Sequence, residues 1–216
     1  MVLLALAFAL LTLLFGGWYA LSLHYHRRKT RRALSWIEAA MAGHGRVIGV
    51  NRTTASSFKA NLQLSSGVFH RAWVLVDLIP SQTPVVWLYS RLTHRSDQLT
   101  FEADLDSAPS FSLEVHNFHW SARSRRNIAL TDEWNVDHAG PFIISTRMEW
   151  QKEITAAMSS LAGNANHNFQ SIRFSRRSPH FSISMPLQTI SPESPARTCV
   201  FDAVREVAVS SLPSLF

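Results

Sequence analysis

The chain has little that would staple it or ligate a metal through sulfur. Cys199 is the one cysteine among 216 residues, which excludes an internal disulfide framework and a multi-cysteine zinc site and fits a reducing compartment. Eight glycines and nine prolines are too few for collagen-like or Pro-rich low complexity, and 46% hydrophobic with 17% charged residues excludes a disordered tail. The common catalytic fingerprints are missing as well. There is no G-x-x-x-x-G-K-[ST] loop, G-x-S-x-G elbow or H-E-x-x-H helix, and GHGRVIG at 43–49 has the wrong glycine spacing for a dinucleotide turn. No internal repeat is visible.

Basic charge is present but confined. The formal charge is +6, from 21 basic and 15 acidic residues. Arg27, Arg28, Lys29, Arg31 and Arg32 hold five of the basic residues within six positions, so the rest of the chain carries only +1. A protein that grips nucleic acid does so through several phosphate contacts. With the charge concentrated at one short segment, no nucleic-acid partner is expected.

That segment follows an apolar run. Residues 2–23, VLLALAFALLTLLFGGWYALSL, contain nothing ionisable apart from Tyr19. As a helix these 22 residues reach about 33 Å, enough for a hydrocarbon core of about 30 Å. Trp18 and Tyr19 stand near the downstream end, where amphipathic rings favour the headgroup layer. The pattern predicts a single transmembrane helix over residues 1–26, acting as a signal-anchor. Positive charge behind the run places the N-terminus outside and the remainder in the cytoplasm, at a plasma or inner membrane. The five basic residues then face anionic headgroups, each attracted by about 1 kcal/mol. The competing reading is a cleaved leader with Ala20 and Ser22 before the cut, which would deliver a periplasmic domain.

Residues 27–45 form a basic juxtamembrane segment in which Leu34, Ile37, Ala40 and Met41 recur at helical spacing before Gly43 and Gly45. This amphipathic helix either lies on the membrane with Trp36 in the interface or packs on the soluble domain as its first helix. Residues 46–122 read as a β-rich half, with strands at 46–51, 57–64, 69–79, 84–90, 98–105 and 110–120. Phe58, Ala60, Leu62 and Leu64 alternate with polar residues, as do Leu99, Phe101, Ala103 and Leu105, so those strands bury one face. AWVLVDLIP, 72–80, is apolar on both parities and predicts a strand covered on both sides. A connecting loop at 123–140 leads to a βαββα half at 141–216. Its elements are strand 141–146, helix 147–162 behind a Thr146–Glu149 capping box, strands 168–175 and 180–186, and helix 195–210 capped by Ser194. The expected fold is α+β: a transmembrane helix, then one mixed unit of an antiparallel β-meander followed by βαββα.

Candidate chemistry is sparse. Glu102, Asp104 and Asp106 alternate along TFEADLD and share one face. Together they would suit a hard cation or an acid and base pair; otherwise they are a solvated face opposite Phe101, Ala103 and Leu105. Glu114 and His116 share a strand face while His119 points away, which is too few ligands for a metal. No metal and no cofactor is expected. Asp77 interrupts an apolar run, where an unpaired carboxylate is costly, so it should be paired or at a strand end. Arg173, Arg176 and Arg177 make the 168–186 hairpin tip basic, an anion-binding candidate with lipid headgroups as the simplest ligand; Arg123, Arg125 and Arg126 form a second basic run. These features favour a non-catalytic binding, scaffolding or assembly component with a protein partner over a membrane-bound enzyme using the carboxylates or histidines of the β-rich half.

Overall fold

The computed structural model describes residues 2–117 except 55, 66, 81–82, 94–95 and 110, together with 135–139, 142–146, 169–187 and five residues between 202 and 208. Helix 147–162, His119 and the run Arg123, Arg125 and Arg126 lie outside the described residues.

Helix α1 is Val2–Ala40, 39 residues without a break and about 58 Å long at 1.5 Å per residue. The apolar run and the amphipathic segment are therefore one helix with two environments. Its large apolar side chains from Val2 to Phe15 are exposed, whereas Ala33, Ile37 and Ala40 are buried, as is Met41 in the turn that follows. The end of α1 from Ala33 to Ala40, with Met41 just after it, thus packs into the core, and burial of Ile37 alone is worth about 1.5–3 kcal/mol. The helix gives way at Gly43, whose φ of +92° is a conformation glycine adopts without penalty. At Gly45 a Cβ would stand 2.2 Å from the Gln63 carbonyl oxygen, so the chain can enter the sheet this closely only as glycine.

The strands are β1 (Gly45–Arg52), β2 (Ser57–Leu64), β3 (Phe69–Asp77), β4 (Gln98–Leu105), β5 (Leu113–Asn117), β6 (Asn135–Ala139), β7 (Phe142–Thr146), β8 (Ser171–Phe174) and β9 (Phe181–Pro186), with α2 (Pro84–Leu92) between β3 and β4. All pairings are antiparallel, and the sheet order is β1-β2-β3-β4-β9-β8-β5-β7-β6. This is the α+β arrangement that the hydrophobic pattern implies. The alternation becomes three cross-strand rows on one face. Phe58, Val76, Leu99 and Met185 form the first; Ala60, Val74, Phe101, Ile183, Ile172 and Val115 the second; Leu62, Ala72, Ala103, Phe181, Phe174 and Leu113 the third. Every member is buried, and α1 covers them together with Val204 and Ala208 of a C-terminal helical segment. Asp202, Arg205 and Glu206 are also helical, as expected within 195–210.

Three expectations change. Residues 84–90 are helical, not a strand, because Thr83 caps the segment, its hydroxyl accepting from the Val86 N–H, and Pro84 opens it. Asn135–Ala139, placed in the connecting loop, is a strand paired with β7. The second face of 72–80 is only half-buried at Trp73 and Leu75, and no helix among the described residues covers it. Asp77 is exposed at the end of β3, which relieves the cost of its charge.

The chain direction gives the sheet two ends. At the near end, from which the apolar half of α1 projects, the Leu78 N–H reaches the Ser56 carbonyl and the Leu187 N–H reaches the Asp97 carbonyl, both at 2.8 Å. At the far end the Ser65 N–H reaches the His44 carbonyl at 2.8 Å, and the β8–β9 turn approaches Leu105 through His180 at 3.3 Å.

Candidate functional site

Helical spacing sets Trp18, Ser22, His26, Lys29, Ala33 and Ile37 on one stripe of α1. The stripe faces the domain. Ser22 and His26 are buried, and Trp18 meets Trp87 of α2 edge-on with ring centroids 5.6 Å apart. Lys29 pairs with the carboxylate of Asp97 and lies 4.7 Å over the Tyr25 ring. Asp97 is 2% exposed, and its other oxygen accepts the Ile79 N–H at 2.7 Å. Burial works against the Lys29 charge, but Asp97 and Tyr25 outweigh it and hold the ammonium pKa above the ordinary lysine value. Lys29 is thus engaged by the domain. Arg27, Arg28, Arg31 and Arg32 remain exposed over the same turns. Asp97 carried no sequence signal of its importance, since its partner lies 68 positions away.

Beside these arginines is a cup of about 330 Å³, its open mouth included, lined by Leu23, His26, Arg27 and Thr30 of α1 and by Arg52, Thr54, Ser56, Ser57 and Phe58. Thr54 shapes the turn: its hydroxyl accepts the Ser57 N–H at 3.0 Å and stands 2.7 Å from the Ser57 hydroxyl. The lining holds no carboxylate. Two guanidinium groups and several hydroxyls form a donor set suited to a phosphate-like anion.

The acidic candidates do not converge. Glu102 accepts from the Trp73 indole N–H at 2.6 Å, with Lys59 over the same ring at 3.9 Å. Asp104 accepts from the Ser178 hydroxyl at 2.6 Å, and Asp106 is exposed beyond the end of β4. Glu114 is three strands from Glu102, across β9 and β8, about 14 Å of backbone at the usual strand spacing. That separation is too great for a shared cation or proton. Among the described residues no group of three His, Cys, Asp or Glu side chains is arranged to hold a metal.

Glu114 and His116 do come together, at 3.2 Å, with Arg173 opposite Glu114 in the register. The His116 hydrogen bond, opposed by burial and supported by the charges of His116 and Arg173, holds the Glu114 carboxyl below its ordinary pKa. A depressed carboxylate pKa contributes stability above the unfolded value, about 4.3, which is lost as pH falls through the folded value. Glu114→Gln is expected to flatten the dependence of melting temperature on pH between about 5 and 3; a slope equal to that of the parent chain would show that the pair contributes nothing.

The three hairpin arginines do not form one site. Arg173 is level with Glu102 on the outer face, while Arg176 and Arg177 lie in the far-end turn. The length of β4, eight residues or about 25 Å, separates that turn from the near end. That turn therefore stands at the end of the sheet opposite the one from which the apolar half of α1 projects. An apolar cleft of about 360 Å³, its opening included, lies under Trp36, Ile37 and Met41, against Val74, Phe101 and Val204; it is an edge of the core.

No protein family and no curated protein matches this sequence. Among solved structures, the chain is similar to the crystal structure of the mycobacterial trehalose monomycolate transport factor A, TtfA, with a TM-score of 0.42 and 10% identity over 87% of this chain and 97% of that one.

Proposed function

We propose that this chain is a single-pass, membrane-anchored, non-catalytic binding or assembly component whose α+β domain stands on the cytoplasmic side of a plasma or inner membrane. The observation that carries the reading is the continuity of α1. One helix, long and apolar enough to cross a membrane, also supplies Ala33 and Ile37 to the core. The domain is therefore not on a flexible tether. Its orientation to the bilayer is set by its own fold, which suits a component that must present one face to a partner in the membrane plane. Arg27, Arg28, Arg31 and Arg32, with the cup at Arg52, serve anionic headgroups. Glu102 and Glu114 are engaged with Trp73 and His116, which fits a structural use of the acids, and the localised charge still argues against nucleic acid.

In-membrane crosslinking from the domain surface tests this. The full chain is compared with a variant whose residues 2–17 are exchanged for an unrelated apolar spanning sequence. The same integral membrane protein is expected as the crosslinked neighbour of both. Absence of any protein neighbour, or loss of the neighbour on exchanging residues 2–17, contradicts a domain-carried role.

A further inference from the structure

Helix α2, PVVWLYSRL, is apolar on nearly every side. Val85 is 74% exposed, Leu88 52%, Tyr89 62% and Leu92 70%, while Ser90 is the residue it buries. A surface helix of a soluble domain turns its apolar stripe inward and its polar face to water. Here the small hydroxyl faces in and the large apolar side chains face out, an arrangement that forfeits burial energy in water.

The neighbour of α2 identifies what covers it. Trp87 packs edge-on against Trp18, which lies inside the apolar run, nine residues from Arg27 on its bilayer side, or about 14 Å along the helix. Whatever touches Trp18 sits at the depth of Trp18. With α1 across a bilayer and Arg27 at the phosphates, a headgroup layer of about 5–7 Å per side puts that depth several ångströms below the boundary between headgroups and acyl chains, within the roughly 5–10 Å to which the apolar face of an interfacial helix sinks. Arg91 in the last turn of α2 adds charge of the same sign as Arg27 and Arg28, and α2 contains no acid, as anionic lipid requires.

We propose that α2 is a second membrane-contacting element, immersed in the lipid interface beside α1 with Val85, Leu88, Tyr89 and Leu92 in contact with anionic phospholipid. This rests on α1 spanning the bilayer. Two contacts instead of one fix the tilt and rotation of the sheet above the membrane.

The test uses the full chain with Cys199→Ser, reconstituted in phosphatidylcholine vesicles containing phosphatidylglycerol. Single cysteines replace Leu88, Ile48 or Leu11, all exposed side chains, and carry an environment-sensitive fluorophore. The Leu88→Cys label is expected to emit at shorter wavelength than the Ile48→Cys label, to be quenched several-fold more by spin-labelled lipid, and to resist aqueous iodide. A Leu88→Cys label open to iodide and untouched by spin-labelled lipid, while Leu11→Cys is lipid-quenched, overturns the role of α2 and leaves α1 as the anchor. Failure of lipid quenching at Leu11→Cys overturns both. A blue-shifted Leu88→Cys label that lipid does not quench shows that a second copy or another protein covers α2, and that also overturns the proposal.

Discussion

Asp97→Ala is expected to destabilise the domain by about 3 kcal/mol, near the lower end of what breaking a buried ion pair costs, because Lys29 retains some access to water. Two losses coincide. The ammonium of Lys29 loses its partner, and the Ile79 N–H loses its acceptor. Asp97→Asn keeps an oxygen for Ile79 and should recover about 1 kcal/mol, the worth of that bond. Adding Lys29→Met to Asp97→Asn should recover more, since removing both charges of a buried pair is often close to neutral. Because the Lys29 pKa is raised, its contribution is complete below the ordinary lysine value and lost only as pH climbs through the higher folded one. The measurement is urea unfolding of the full chain in detergent at neutral pH. Equal stability of the parent and Asp97→Ala would show that the near end of α1 is not held by this pair.

The second large effect lies in the core. Phe181→Ala is expected to cost about 3–5 kcal/mol, the range for truncating a buried aromatic. Phe181 is fully buried and joins two strands, with its ring centroid 6.3 Å from that of Phe101 and 5.1 Å from that of Phe174. Phe8→Ala is the internal control. Phe8 is exposed on the projecting half of α1, so its truncation should leave domain stability within about 0.5 kcal/mol. Similar losses from both would mean that the first half of α1 also packs on the domain.

What was legible in the chain follows from what is local. Phe58, Ala60 and Leu62, or Leu99, Phe101 and Ala103, announce one-sided strands through a period of two, and β2 and β4 appear where that period runs. The apolar run at 2–23 and the stripe at Leu34 and Ile37 are also local, although only the structure shows them to be one helix. Val85, Val86 and Trp87 favour a strand by propensity, and that preference hid the Thr83–Pro84 start signal that makes α2 a helix. Non-local facts were not legible. Insertion of β9 and β8 between β4 and β5 separates Glu102 from Glu114 and carries Arg176 to the end opposite Arg27, and no spacing along the chain encodes that order. The pairing of Lys29 with Asp97 escaped for the same reason.

Cysteine accessibility tests the central claim, that α1 crosses the bilayer and continues into a domain held on the cytoplasmic side. In a Cys199→Ser background, single cysteines are placed at Leu11, at Thr53 in the near-end turn and at Asp106 at the far end, and treated with a membrane-impermeant maleimide. None is expected to react in intact cells; in inside-out vesicles Thr53→Cys and Asp106→Cys should react while Leu11→Cys does not. Labelling of Asp106→Cys in intact cells, or of Leu11→Cys in vesicles, would contradict the account.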